Sequence, residues 1–266
     1  MKPWIGAIIA ALSLAGLGGG AAAEPLRVMA LDQCADQFVL ALVPDAELGL
    51  SPRADDPDSR LRGQAEGRRR VRPTLESAVG FRPDVVVRYW GGDARLLAAL
   101  ERDGVRTATI ADAADMDGVR ANVRAVAKAL NQPERGEALV RRMEARLVEA
   151  AGAGRGREAV YVTAAGFTTG PGSLMDAVLR AAGFRNGIER PGYQPLGLES
   201  VVLSPPALFV RGFFDLARAD WRGAGRHPAM RRAMRGRTAA DLPGAVLTCP
   251  AWFAADAAAE LAEQAS

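Results

Sequence analysis

The sequence contains little of the side-chain chemistry that enzymes and metalloproteins use. Among 266 residues there is one histidine, His227, there are two cysteines, and aromatic residues make up 6%. Neither a G-x-S-x-G nucleophile elbow nor the Gly-Lys-[Ser/Thr] of a P-loop occurs. Bare transition-metal sites usually draw on several His, Cys or carboxylate ligands, which this composition does not offer. We therefore predict a protein that is not an enzyme, with no catalytic residue, no resident cofactor and no metal ligand.

An excess of charge of one sign is also missing. Lys+Arg 34 stand against Asp+Glu 31, and lysine occurs only at Lys2 and Lys128. The arginine runs at 68–72 and 231–232 are typical of solvated faces. This balance indicates neither a nucleic-acid partner nor an anionic membrane surface.

Long apolar runs are absent beyond the first residues. Lys2, the apolar stretch Ile5 to Leu17 and the small residues Ala21 to Ala23 follow the pattern of a cleavable signal peptide over residues 1–23. The apolar stretch is short for a membrane span. The sequence therefore predicts an exported, periplasmic protein that does not span the membrane.

Two helical segments in the middle of the chain organise the rest. The second, predicted from Glu134 to Ala151, repeats apolar residues at helical spacing and has Pro133 at its first turn. Strand and helix patterns alternate on both sides, which favours two α/β lobes, each with a parallel sheet. We predict an N-terminal lobe at 24–115, a linking segment at 116–154 with one long rigid helix, and a C-terminal lobe at 155–266.

The two predicted lobes resemble each other. A shift of 123 positions maps Leu75–Val79, Pro83 and Arg88 onto Leu198–Val202, Pro206 and Arg211. Each set is typical of a short helix, a turn with proline and a buried strand that ends in arginine. Duplicated lobes explain this similarity, and a chance likeness of ordinary helices and strands is the alternative.

Aromatic residues gather in the loops after the predicted strands. In open parallel sheets, ligands lie beyond the carboxyl ends of the strands, so these loops form the candidate binding site. Aromatic rings suit a large flat ligand, and arginines suit its anionic groups. The candidate ligand-binding residues are Cys34, Asp36, Arg53, Arg88, Tyr89, Trp90, Phe167, Tyr193, Arg211, Phe213, Cys249 and Trp252.

The two cysteines, Cys34 and Cys249, lie in the predicted loops after the first and last strands. In an exported protein they can form a disulfide, and such a bridge would contribute roughly 5 kcal/mol by loop entropy. They can equally remain two free thiols. The sequence alone does not place their Cα atoms within bridging distance.

Several segments together resemble class III, or cluster A-II, periplasmic solute-binding proteins of ABC importers, the family of ferric-siderophore and cobalamin binders. The resemblance lies in residues 27–36, 75–87, 91–92, 169–176, 195–199 and 226–230. It implies two Rossmann-like lobes joined by one long helix, a metal chelate in the cleft between them, and a monomer that delivers it to a permease dimer with its ATPase. The family docks through one acidic residue on each lobe, which implies Asp93 and Asp215, with Asp55 or Asp56 in reserve. Arg95 stands where related cobalamin binders carry a glutamate, and 205–207 read Pro-Pro-Ala where Pro-Asp is usual.

The ligand is left open between three chelates. The aromatic loops slightly favour cobalamin or another corrinoid, Arg53, Arg88 and Arg211 favour an anionic ferric siderophore, and Tyr89 or Tyr193 can serve as the axial ligand of a haem. Two other functional classes are the alternatives to transport: a ligand-binding sensor, or an exported α/β enzyme.

Overall fold

The computed structural model describes residues 24–216 and 222–266. The predicted signal peptide, residues 1–23, lies outside the described residues. Within the two described ranges, no helix combines the length and the apolar character that a membrane crossing requires.

The first lobe is a four-stranded parallel sheet with helices on both faces. Its strands lie in the order β2-β1-β3-β4. The elements are β1 (Arg27–Ala30), α1 (Gln33–Leu42), β2 (Glu47–Gly49), α2 (Arg62–Ala65), α3 (Leu75–Phe81), β3 (Val85–Arg88), α4 (Ala94–Arg102) and β4 (Arg106–Thr109).

Two helices link this sheet to the second one. They are α5 (Met116–Ala129) and α6 (Pro133–Ala150). Asp115 caps the start of α5 by accepting a hydrogen bond from the backbone of Gly118, and Pro133 occupies the first turn of α6. The 18 residues of α6 span roughly 27 Å. The observed helix differs from the predicted one by a single residue at each end.

The second lobe contains another four-stranded parallel sheet, in the order β10-β9-β5-β7, and a two-stranded antiparallel ribbon, β6-β8. A 3₁₀ turn lies at Ala224–Arg226. The other elements are β5 (Glu158–Thr163), β6 (Phe167–Thr169), α7 (Leu174–Ala181), β7 (Arg185–Asn186), β8 (Tyr193–Pro195), α8 (Leu198–Leu203), β9 (Phe209–Gly212), α9 (Pro228–Met234), β10 (Thr238–Leu242), α10 (Gly244–Leu247) and α11 (Ala254–Ala265).

The strand orders of the two sheets correspond. Read from the other edge, the second sheet runs β7-β5-β9-β10, which matches β2-β1-β3-β4 in chain order and position. The shift of 123 positions found in the sequence relates α3 and β3 to α8 and β9. In each lobe the related strand, β3 or β9, pairs with the first strand of that lobe, β1 or β5. This equivalence supports duplication, and the predicted fold of two α/β lobes with parallel sheets joined by a long helix is confirmed.

One hydrophobic core runs through both lobes, and each lobe has a smaller second core on the outer face of its sheet. The shared core contains strand residues such as Val28 and Tyr161, and it continues across α5, α6 and α11. At its centre the rings of Phe38 and Trp252 meet edge to face at 5.5 Å between centroids. The lobes are therefore joined by buried apolar side chains as well as by the long helix.

The structure corrects the predicted last strand. The sequence of residues 245–248 predicts the last strand of the chain, but Gly244–Leu247 forms α10 and the last strand is β10. Pro243 provides an extended residue before α10 and ends the pairing, so the β-branched residue that suggested a strand lies in a helical turn. Residues 165–172 and 187–195, whose sequences predict loops, contain the strands of the β6-β8 ribbon.

Candidate functional site

A cavity of about 560 Å³ opens between the lobes, and both lobes line it. The first lobe contributes Tyr89, Trp90 and the segment 112–114 after β4. The second contributes a larger wall from β5, α7, α10 and the loops beside them. Its polar and aromatic lining residues are Tyr161, Thr163, Ser173, Tyr193, Phe213, Thr248 and Cys249.

On the first-lobe side, the loop after β3 is held by one carboxylate. Asp32 accepts hydrogen bonds from the backbone N–H groups of Tyr89, Trp90 and Gly91, at 2.6, 3.1 and 2.8 Å, through Oδ2. Its Oδ1 accepts from the backbone of Ala35 and so caps α1. A side chain at position 91 would place its Cβ 2.3 Å from the carbonyl oxygen of Leu31, the residue after β1, so this close approach requires glycine. The loop is therefore fixed by its backbone, which leaves its side chains free to face a ligand.

The two aromatic residues of that loop differ in their surroundings. Trp90 is 70% exposed, and the Tyr89 ring packs edge to face against it at 5.5 Å. The Tyr89 hydroxyl donates a 2.6 Å hydrogen bond to Asp112. Burial, together with this hydrogen bond, raises the pKa of Tyr89 to about 12. In the free protein Tyr89 is a neutral phenol with a proton acceptor already in contact.

On the second-lobe side, the lining is a floor with one projecting ring. Tyr161 in β5 is 2% exposed and forms part of the floor, whereas Tyr193 at the start of β8 is 69% exposed. Ser173 caps α7 by accepting from the backbone of Asp176, which fixes the first turn of that helix beside the cavity. All three tyrosines of the chain line this cavity.

Cys34 and Cys249 form a disulfide, which decides between the two alternatives that the sequence left open. Their Cα atoms are 5.5 Å apart, and both residues are buried, with Cys249 also lining the cavity. Cys34 belongs to α1 in the first lobe, and Cys249 follows α10 in the second. The bridge is therefore a covalent tie between the lobes at the cavity wall.

Polar contacts reinforce this tie. Asp58 accepts hydrogen bonds from Gln33 in its own lobe and from Thr248 in the other. Asp256 in α11 is 3% exposed and pairs with Arg60 of the first lobe at 3.0 Å and with Arg146 of α6 at 3.3 Å. The polar segment 51–72, which contains Asp58 and Arg60, thus connects the lobes.

Five of the predicted ligand-binding residues line the cavity, namely Tyr89, Trp90, Tyr193, Phe213 and Cys249. Three others lie in the buried interior, which corrects their assignment. Cys34 and Asp36 fall inside α1, which begins at Gln33 and is buried almost throughout, instead of in a loop. Trp252 is 4% exposed and packs against Phe38 and Phe253.

The remaining four are outside the cavity lining and are engaged elsewhere, apart from Phe167, which is 45% exposed on β6. Arg53 pairs with Asp56 at 2.7 Å. Arg88 donates to the carbonyl oxygen of Gly91 at 2.7 Å, within the loop that it precedes. Arg211 pairs with Asp241 on the neighbouring strand. The cations expected for an anionic ligand therefore stabilise the fold.

The two acidic residues expected to dock on a permease are both exposed. Asp93 caps α4 by accepting from the backbone of Leu96, and Asp215 accepts from the backbone of Gly244. His227 caps α9, where its Nδ1 accepts a hydrogen bond from the backbone of Ala229. Across residues 24–216 and 222–266, no cluster of His, Cys, Asp and Glu is suited to a metal ion.

Sequence reasoning missed Asp32, Asp112 and Tyr161. Asp32 and Asp112 each follow a strand of the first sheet, so their position beyond a strand end was an available signal. Tyr161 lies within a strand and has the pattern of a core residue. Only the arrangement of the second sheet shows that its ring reaches the cavity.

Comparison with known proteins gives one family and several solved structures. The model of the periplasmic binding protein family matches residues 37–212. The periplasmic heme-binding protein RhuT of Roseiflexus sp. RS-1 is 22% identical, with 90% of this chain and 97% of that one covered and a TM-score of 0.69. The periplasmic heme-binding protein BhuT, solved with two hemes, is 22% identical, with 90% of this chain and 99% of that one covered and a TM-score of 0.67. The vitamin B12 binding protein BtuF of Vibrio cholerae is 19% identical, with 91% of this chain and 97% of that one covered and a TM-score of 0.65.

At these identities the solved structures show a common fold, and their ligands are their own. No curated protein sequence shows significant similarity to the chain.

Proposed function

Because this chain belongs to the periplasmic binding protein family, a family of solute-binding proteins, we propose that it is the substrate-binding component of an ABC importer. Its cargo is an iron tetrapyrrole of the haem class, bound in the cavity between the lobes. The protein carries this cargo to a permease dimer driven by its ATPase. The family suggests a periplasmic location, and the pattern of residues 1–23 agrees with export.

The observation that carries the choice of cargo is the gathering of tyrosines. The chain has three, and all of them line one cavity. A phenolate is an oxygen donor that haem iron accepts as an axial ligand. The cobalt of cobalamin already carries ligands on both faces and does not need one from the protein. A cavity that collects phenols therefore favours iron over cobalt.

Tyr89 is the tyrosine best placed to be the axial ligand. Its backbone is fixed through Asp32, and its hydroxyl proton already points to Asp112. When ferric iron takes the Tyr89 oxygen, the O–H bond breaks and Asp112 can accept the proton. Because burial and the hydrogen bond to Asp112 raise the pKa of Tyr89 to about 12, the phenol stays neutral until iron displaces its proton.

The shape of the cavity supports a flat cargo. Its volume, about 560 Å³, lies within the range of small-molecule sites. The exposed Trp90 ring on one lobe and the exposed Tyr193 ring on the other offer two aromatic surfaces to a planar macrocycle. Two structural neighbours, RhuT and BhuT, are heme-binding proteins, which supports this proposal.

A corrinoid is the second candidate, because of one property of the lining. Among the described residues of the cavity, Asp112 is the single charged side chain, and no lysine or arginine is present. A ligand whose buried edge is uncharged fits this lining, and corrinoids carry amides there. The same property weakens the case for an anionic ferric siderophore.

The deciding experiment is a titration of the purified protein with hemin and with cyanocobalamin, followed by visible absorbance and tryptophan fluorescence. We expect saturable hemin binding, with fluorescence quenching reduced in Trp90→Phe. Tyr89→Phe should change the ligand-field bands of bound hemin and raise its Kd at least 100-fold, about 3 kcal/mol.

Tyr193→Phe serves as the matched control, and its Kd should stay within tenfold of the wild type. Saturation by cyanocobalamin with no response to hemin would transfer the proposal to corrinoids. If neither compound binds, the tetrapyrrole proposal is wrong.

Docking on the permease is the second part of the proposal. Asp93 and Asp215 are exposed and lie on different lobes, as a two-fold permease requires. Charge reversal to arginine at either position should abolish hemin uptake in a reconstituted transporter while the Kd for hemin stays unchanged. Unimpaired uptake by both variants would exclude these residues. Hemin binding without any permease-dependent uptake would favour the sensor alternative.

A further inference from the structure

The Tyr161 hydroxyl at the cavity floor is a hydrogen-bond donor that has no partner within residues 24–216 and 222–266. The residue is 2% exposed, and its ring belongs to the shared core. Among the residues that the structure describes, none forms a hydrogen bond with it, and yet it lines the cavity. Because its oxygen borders the cavity and is not fully enclosed by protein atoms, the hydroxyl can donate to a bound ligand without giving up a hydrogen bond within the protein.

The surrounding backbone is shaped to keep the hydroxyl in place. A Cβ at position 212 would lie 2.5 Å from the Tyr161 oxygen, so the glycine at the end of β9 leaves the space that the hydroxyl occupies. Leu247 of α10 closes the same space from another side. Phe213, the next residue along the chain, lines the cavity with a backbone φ of 63°.

The hydroxyl stays protonated at any physiological pH. Burial raises the pKa of Tyr161, and the nearby Tyr193 raises it further. A neutral phenol with no internal acceptor can donate its proton in a hydrogen bond and is poorly suited to act as an anion. Tyr161 therefore differs from Tyr89, whose proton already has an acceptor in Asp112.

We propose that Tyr161 recognises the cargo by donating a hydrogen bond to an oxygen acceptor on its buried edge. The acceptor is the carbonyl oxygen of an amide or of a protonated carboxyl side group of the macrocycle, since this lining suits an uncharged buried edge. This inference rests on the proposed function, since it assigns a specificity contact within the same cavity. It predicts that tetrapyrroles without oxygen in their side groups bind less well.

The test compares Tyr161→Phe with the wild type for three probes: hemin, cyanocobalamin and the iron complex of etioporphyrin, whose side groups are alkyl only. The variant should bind the oxygen-bearing probe that the wild type prefers 10- to 100-fold more weakly. Its affinity for iron etioporphyrin should equal that of the wild type within threefold. Gly212→Ala, which displaces the hydroxyl without removing it, should show the same pattern.

A second measurement separates a ligand contact from a structural role. Without ligand, the thermal unfolding midpoint of Tyr161→Phe should equal or exceed that of the wild type, since no internal hydrogen bond is lost. A midpoint several degrees below the wild type would overturn the inference whatever the protein binds. Equal loss of affinity for all three probes would also overturn it. The proposed function fails separately, when the wild type binds neither hemin nor cyanocobalamin.

Discussion

The two lobes share one strand order, but they contribute different walls to the cavity. The first-lobe wall is a loop whose backbone is held by Asp32, with Tyr89 and Trp90 projecting from it. The second-lobe wall is mostly interior, with Tyr161 and residues of α7 that also belong to the core. The same topology thus provides one wall that contacts the core only through partly buried residues such as Tyr89, and one wall that is itself part of the core.

This difference indicates which changes alter binding alone. A substitution on the loop wall removes few core contacts, so it should change affinity with little change in stability. A substitution on the floor changes the packing of the second lobe as well. The features that hold the two walls together should have the largest effects on stability.

Breaking the covalent tie should have the largest effect. Replacing both cysteines, Cys34→Ala with Cys249→Ala, should lower the free energy of unfolding by about 3 to 5 kcal/mol, because the reduced chain is freer when unfolded. Urea denaturation measures this change. Wild-type protein treated with dithiothreitol is the control and should unfold with the double variant. An unchanged midpoint would show that the other contacts suffice.

The second-largest effect concerns the pH dependence of stability. It compares two buried carboxylates on the first helix of each lobe, Asp36 in α1 and Asp176 in α7. Burial raises the pKa of Asp36 from 3.8 to about 7, the hydrogen bonds from Ser51 and the charge of Arg70 lower it, and the Asp32 carboxylate raises it. Asp176 instead pairs with the cation of Arg180 at 2.9 Å.

Between pH 4 and 7 the folded protein holds a proton on Asp36 that the unfolded chain has released. Stability should therefore fall as pH rises through this window, by at most about 4 kcal/mol, and stay level above it. Asp36→Asn should flatten the profile measured by urea denaturation at several pH values. Asp176→Asn, the control, should keep the slope and lower stability throughout. A wild-type profile that rises from pH 4 to 7 would contradict this assignment.

The third effect concerns the ion cluster between the lobes. Asp256→Asn should lower the free energy of unfolding by about 3 kcal/mol, because the buried partner of Arg60 and Arg146 loses its charge. Arg142 lies 3.8 Å from the same carboxylate with its side chain 59% exposed. Arg142→Gln is thus the matched control, with an expected change below about 0.5 kcal/mol. Equal effects of both substitutions in urea denaturation would contradict the assignment.

The smallest of the four effects separates the two roles of Asp32. Asp32→Ala should cost about 2 kcal/mol in stability through loss of the helix cap and of the bonds to the loop. Because the loop is then released, hemin affinity should fall about tenfold. Asp93→Ala removes a cap that has no loop attached, and it should cost about 1 kcal/mol with unchanged affinity. Calorimetric titration with hemin distinguishes the two variants.

Local periodicity made much of the fold predictable. The long helix predicted from Glu134 to Ala151 agrees with α6 to within one residue at each end. The strand β10 was missed because Thr238–Leu242 is rich in alanine, and its extended form depends on pairing with β9. Such pairing over long distances in sequence is not visible in a short window.

The candidate site was predictable where a residue follows a strand, as for Tyr89, Trp90 and Tyr193. It was not predictable where the partner of a side chain decides its role. Arg211 follows the expected pattern of an anion-binding residue, but Asp241, thirty positions later, neutralises it. Asp36 was placed in a loop, and the early start of α1 buries it.

The disulfide between Cys34 and Cys249 also has a consequence for the time at which it can form during folding. With two cysteines in the chain, Cys34 has one possible partner within it, 215 residues later. No incorrect intramolecular disulfide can form. The possible error is an intermolecular disulfide, formed by the Cys34 thiol of one chain before it pairs with Cys249 of the same chain. We expect oxidation of the reduced protein at high concentration to yield covalent dimers on a non-reducing gel, and dilution to suppress them. Because Cys34 lies in the first lobe and Cys249 in the second, formation of this disulfide reports that both lobes have folded and docked.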